Sequence, residues 1–133
     1  MKDQRLLHPE LARTVAAAGH GDLLGLADAG LPIPLHTPRI DLAFAPGKPA
    51  LLDVLDAVLS ELVVEAYVLA EESAARAPWL VEALAARLPE AQVEWRTHEA
   101  LKAATHEARA VVRTGEFRPF ANVLLRSGVR FPG

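Results

Sequence analysis

Two short segments carry the side chains best placed for proton chemistry. In Gly19-His20-Gly21-Asp22 a histidine stands between glycines, directly after a helix-like stretch. The glycines permit a sharp turn and leave the imidazole unshielded. The negative end of a helix dipole favours the protonated ring, a suitable state for a general acid near neutral pH. The same placement also suits a histidine that only caps a helix. Asp28, in the segment Asp-Ala-Gly-Leu-Pro-Ile-Pro at 28–34, ends an apolar run. It is either a site carboxylate or the side chain that closes an Asx-turn. Asn122 opens the last apolar run and can serve a ligand or cap a strand.

Other combinations carry less. His98-Glu99 and His106-Glu107 are too widely spaced for the zinc motif, which needs histidines one turn apart. Eight residues of helix separate the rings by ~12 Å at 1.5 Å per residue, so one ion cannot bind both. No metal site is expected, and His106 reads as an exposed surface residue. Glu71-Glu72 could do acid/base work, but adjacent carboxylates at a strand end usually form a solvated edge. Ser60, Ser73 and Ser127 lie outside any nucleophile-elbow pattern, and no glycine-rich phosphate loop occurs. The chain contains no cysteine, which removes thiol nucleophiles, disulfides and thiolate metal sites together.

The elements that must position these groups follow from periodicity. Leu11, Val15 and Ala18 share one face of a helix over 9–18, with Pro9 at its first turn and Gly19 as its cap. Asp-Leu-Leu-Gly-Leu-Ala-Asp (22–28) reads as a buried strand. The next ten residues hold three prolines and form a rigid loop. Arg39 to Phe44 is a strand, 45–49 a turn, and Ala50 to Leu59 a helix with Leu51, Leu52, Leu55 and Leu59 inward. A strand around 61–73, one long helix through Pro78 and Trp79 to Leu88, and a strand over 92–96 follow. Then come a helix from His98 to His106 and strands over 108–115 and 122–128. Such alternation predicts an α/β layer fold with a mainly parallel sheet. Ligands in such folds bind outside the strand C-termini, which is where Asp28 falls. The short link between the last two strands suggests that they pair antiparallel. Asn122 would then point to the edge where the preceding strand ends.

Composition sets the outer bounds. At 133 residues, 51% hydrophobic and 23% charged, the chain is sized for one domain with its own core. The net charge of −3 offers no basic field for phosphate backbones, so nucleic acid is not an expected partner. No signal-peptide pattern and no stretch of ~20 apolar residues occurs, so no membrane span is expected either.

Six segments together resemble one family. Gly-His-Gly-Asp at 19–22, Asp-Ala-Gly-Leu-Pro-Ile-Pro at 28–34 and Arg-Ile-Asp-Leu-Ala-Phe at 39–44 are followed by VEAYVLAEE at 64–72, RTHEALK at 96–102 and VVRTGEFRPFANVLL at 111–125. Their order and spacing resemble those of the D-ribose pyranases, from His20 to Phe131. The related fucose mutarotases share the GHGD and TGE features but lack the LPIP loop and the THE segment as they stand here. The resemblance implies one three-layer α/β/α domain over 1–133 with a mixed, mainly parallel sheet. It implies His20 as proton donor, and Asp28, His98, Phe120, Ala121 and Asn122 as substrate-binding residues. The family has tyrosine where this chain has Phe120, so the ring is kept and a hydroxyl is lost. The implied activity is interconversion of ribopyranose and ribofuranose, which needs only proton transfers and hence no metal or cofactor. The implied setting is a cytoplasmic ring-shaped homo-oligomer, a decamer, that supplies furanose to ribokinase. Two other readings stay open from the residues: a mutarotase for fucose or another monosaccharide, and a non-catalytic sugar-binding module.

Overall fold

The computed structural model describes residues 5–129. The two ends of the stretch treated above as one domain, 1–4 and 130–133 with Phe131 among them, lie outside the described residues. The first elements are helix α1 (Pro9–Ala17), strands β1 (Leu23–Ala27) and β2 (Arg39–Asp41), helix α2 (Leu51–Leu59) and strand β3 (Val64–Ala70). Helices α3 (Ser73–Arg76) and α4 (Pro78–Arg87), strand β4 (Gln92–Arg96), helix α5 (His98–Ala104) and strands β5 (Ala110–Arg113) and β6 (Val123–Ser127) complete the order. All six strands form one sheet in the order β2-β5-β1-β6-β3-β4. Every neighbouring pair is parallel except those of β6, which runs antiparallel to both β1 and β3.

Side chains alternate between the faces of the sheet, and both faces are covered. Leu24, Leu26, Tyr67, Leu69, Val123 and Leu125 meet α1, α2 and α4 on one side. Leu23, Ala27, Val68, Val111 and Leu124 meet Leu101 and Ala104 of α5 and Leu31 and Ile33 of the proline loop on the other. The fold is therefore the three-layer mixed α/β arrangement expected from the sequence.

Several local expectations need correction. β6 does not pair with β5, because β1 lies between them. The link 114–122 passes over the end of β1 on a single edge of the sheet, so β6 enters antiparallel without a crossover. Asn122 does reach that edge. Gly19 is not a left-handed cap: α1 ends as Ala18 turns extended (φ −66°, ψ 120°). The positive φ belongs to Gly21, at 89°. The Asp22 N–H donates to the Gly19 carbonyl at 3.0 Å, closing a turn whose third residue needs that conformation.

The strand at 39–44 stops at Asp41, whose Oδ1 accepts the Ala43 N–H at 3.1 Å and draws it out of the ladder. In α2 the buried positions are Leu51, Val54, Leu55 and Val58, leaving Leu52 and Leu59 half-buried. The long helix at 73–88 is two helices broken at Ala77 (φ −140°), since the residue before a proline is pushed out of the helical region. The helix begun at His98 ends at Ala104 and tightens into a 3₁₀ turn over Thr105–Glu107.

Gly115 makes the tightest approach among the described glycines. A Cβ there would stand within van der Waals overlap of the backbone of Lys48. The Gly115 N–H also donates to the Pro49 carbonyl at 2.8 Å, and the Gly47 N–H to the Gly115 carbonyl at 2.6 Å. Gly115→Ala must therefore push the 45–49 turn off the sheet. The expected cost is about 2–3 kcal/mol, as for overpacking of a filled site. A thermal melt should show the midpoint lowered by roughly 10 °C, and an unchanged midpoint would refute the close packing.

Candidate active site

Asp28 follows β1 and Asn122 precedes β6, and because these strands are antiparallel neighbours the two residues meet. The Asp28 N–H donates to Asn122 Oδ1 at 2.8 Å, and Asn122 Nδ2 donates to Asp28 Oδ2 at 3.3 Å. Gly30 N–H donates to Asp28 Oδ1 at 3.1 Å, so Asp28 also closes the Asx-turn considered above. Asp28 thus closes its own turn and also lines a pocket. Partial burial pushes its carboxyl above the ordinary aspartate range, against hydrogen bonds from Gly30, Asn122, Ala121 and Leu31 that pull it down. Asn122 is only 2% exposed and lies behind the pocket lining, where its amide holds Asp28 in place.

The adjoining wall is aromatic. The His98 ring, at the start of α5, meets the Phe120 ring edge-to-face with centroids 5.0 Å apart. His98 Nδ1 is buried without a hydrogen-bond partner. Phe120 adopts φ 57°, a left-handed conformation that costs an L residue roughly 1–2 kcal/mol. Ala121 is fully buried in the core and does not line the pocket.

Asp28, His98 and Phe120 border a pocket of about 550 Å³, a size suited to a small molecule. Three cations that the residue-by-residue reading passed over also line it: Lys102, Arg113 and Arg118. Arg113 Nε donates to the Ala29 carbonyl at 3.0 Å and its Nη1 pairs with Asp41 at 3.1 Å, which fixes the backbone just past Asp28. Arg118 Nε pairs with Glu116 at 2.8 Å while its guanidinium lies 3.4 Å over the Trp79 ring centre. The Glu116 carboxyl is held below its ordinary range chiefly by the hydrogen bond from Arg118. Its Oε1 also accepts the first N–H of α2, from Leu51, at 3.2 Å. The Thr-Gly-Glu segment therefore supports the pocket: Thr114 Oγ1 ties to the Ala27 carbonyl at 2.8 Å.

His20 is not in this pocket. It lies beyond the opposite end of β1, where the Gly21 N–H meets the Ser127 carbonyl at 2.7 Å. The strand between contributes about 16 Å at ~3.3 Å per residue. There His20 is 60% exposed, and its Nε2 stands 2.5 Å from Glu65 Oε1. His106 is exposed as expected, with its Nδ1 3.0 Å from Nε2 of His36. Glu72 is not a purely solvated edge, since its Oε1 accepts the His98 N–H at 2.9 Å. Among the described residues, no three His, Cys, Asp or Glu side chains cluster as a metal site would require. No described helix is long and apolar enough to cross a membrane.

An α/β sheet with a pocket of this kind at its strand ends, apolar with a few fixed polar groups, defines a class of small-ligand proteins, and comparison narrows it. The chain belongs to the RbsD / FucU transport protein family, whose model it matches over residues 1–130. It is 52% identical to the D-ribose pyranase of Paracidovorax citrulli, across 98% of this chain and 100% of that one. It is 48% identical to the D-ribose pyranase of Geobacillus thermodenitrificans, across 98% and 99%. The solved structure of Bacillus subtilis RbsD complexed with D-ribose superposes with a TM-score of 0.92 at 40% identity, covering 98% of this chain and 100% of that one. FucU from Bifidobacterium longum shares the fold at a TM-score of 0.77 and 23% identity, covering 94% and 97%.

Proposed function

We propose that this chain is a D-ribose pyranase, an isomerase that interconverts β-D-ribopyranose and β-D-ribofuranose. The observation that carries this reading is the pocket itself. A carboxylate and an amide are locked together at the end of β1, beside a histidine and an aromatic ring, in a chain about half identical to D-ribose pyranases from end to end. Asp28 and Asn122 bond sugar hydroxyls, Ala121 packs behind them in the core, and the Phe120 ring packs on an apolar sugar face. His98 contributes Nε2. An acid protonates the ring oxygen as a base takes the proton of the anomeric hydroxyl. The C1–O bond breaks to give the open aldehyde, and a different hydroxyl then adds back to the carbonyl. Each step moves protons only, so no cofactor is needed.

His20 supplies the acid from a neighbouring copy. Its exposure at the far edge of the sheet supports this, as does the apolar surface around the pocket mouth. Phe117, on the rim, is 68% exposed, and Leu35 of the proline loop is fully so. Apolar side chains in such positions suit cover by a second subunit. The working form is thus a homo-oligomer of single-domain chains, a decameric ring as in the family pattern, acting in the cytoplasm and supplying furanose to ribokinase.

Saturation-transfer NMR tests the activity. Irradiating a ribopyranose signal should drain the furanose signals, and fucose should show no comparable gain. Exchange between anomers alone would indicate a mutarotase, and no exchange a binding module.

Position 120 provides a second test. Phe120→Tyr restores one hydroxyl, and one net hydrogen bond is worth ~0.5–1.5 kcal/mol. Ribose should bind about 2- to 13-fold more tightly, at an unchanged exchange rate per bound sugar. A large rate gain at unchanged affinity would show that the hydroxyl moves protons instead.

A further inference from the structure

The two rings of the pocket wall are held from behind by a single turn of chain. Where β3 ends, Glu72 and Ser73 lead into the four-residue helix α3, and each reaches a different ring-bearing residue. Glu72 Oε1 accepts the His98 N–H at 2.9 Å and so fixes the first residue of α5. Ser73, with no exposed surface, donates from Oγ to the Phe120 carbonyl at 2.7 Å. Arg76, later in the same turn, places its guanidinium 5.1 Å from the centre of the Phe120 ring. Phe120 is the described non-glycine residue with positive φ, so its backbone needs such a restraint.

We infer that Glu72 and Ser73 form a two-armed bracket that sets the spacing of the His98 and Phe120 rings. Both are positioning residues: neither lines the pocket, and each acts through the residue it holds. Both arms grip backbone atoms, so they place the rings without occupying ligand space. Both also spring from the end of a strand whose last residues, Ala66 to Ala70, are buried, so the bracket shares the rigidity of the sheet. The expected consequence for sugar binding rests on the reading of this pocket as the ribose site.

The test compares Ser73→Ala, Glu72→Ala and Glu72→Gln with the unchanged chain. NMR reads the His98 ring-proton shifts without sugar, and titration then reads ribose affinity. The Phe120 ring current acts on His98, so a slack bracket moves those resonances, whereas a loss of stability alone leaves them in place in a folded chain. Ser73→Ala and Glu72→Ala should both move them and weaken ribose binding about 2- to 10-fold, the scale of one net hydrogen bond. Glu72→Gln keeps an acceptor oxygen and should restore both readings. The double variant should lose less than the product of the single effects, because both arms act on one wall. Unmoved resonances in either folded alanine variant overturn the inference, as does unchanged affinity in a chain that binds ribose. If Ser73→Ala fails to fold, Glu72→Ala decides alone, since Glu72 is exposed. If the unchanged chain binds no ribose, the sugar reading fails and the His98 shifts still judge the bracket.

Discussion

His20→Ala should slow ring exchange by about 10²–10⁴-fold, the usual contribution of a positioned general acid, while ribose affinity changes far less. The substitution is mild for the fold. His20 is largely exposed, and its described partner is Glu65 on the same outer edge, so no core contact is lost. The turn around it is set by Gly21 and by the Gly19–Asp22 hydrogen bonds, which use backbone atoms and the Asp22 carboxylate. A lost rate in a chain with an unchanged melting midpoint therefore reports on chemistry. Saturation transfer gives the rate, and full exchange in the folded variant would remove His20 from the mechanism.

Asp28→Ala should act on binding first. A carboxylate that accepts sugar hydroxyls makes charge-assisted hydrogen bonds, worth ~1.5–3 kcal/mol each, so ribose affinity should fall about 10- to 150-fold. The variant frees the Gly30 N–H, which lines the pocket, and the Asn122 Nδ2, which then borders the space the carboxylate leaves, where water can replace the lost acceptor. Exchange falls with binding. A titration that finds wild-type affinity would show that Asp28 only shapes its own turn.

Much of this was legible in the sequence because it is local. The buried run Leu23–Ala27, the three prolines after it and the alternating helices and strands require one fold class, and they place Asp28 at a strand end. Asn122 was ambiguous by itself. Its meaning comes from the pairing of Leu26 with Val123, a contact across almost the whole chain that no local pattern encodes. The same limit explains the misplaced partner of β6, since a short link fixes the direction of a strand but not which neighbour it joins. Pro78 alone does not reveal the helix break at Ala77, because proline at a first helical turn and proline after a break look alike in sequence. Glu72 reads as a solvated edge because its partner, the His98 N–H, lies beyond two intervening helices and a strand. His20 and Asp28 sit eight positions apart, which hides that an extended strand drives them to opposite edges of the sheet.

That separation makes mixed oligomers the sharpest test of a pocket shared between copies. His20→Ala and Asp28→Ala chains are each expected to be nearly inactive alone. Refolded together in equal amounts, they should form some interfaces that join an intact His20 to an intact Asp28 from the neighbouring copy. Random assembly of a closed symmetric ring places about a quarter of the pockets in that state, so ribose ring exchange should recover to roughly a quarter of the unchanged protein's rate. A mixture no more active than its parents, or a light-scattering mass near 14.3 kDa for the unchanged chain, would contradict a site built from two copies.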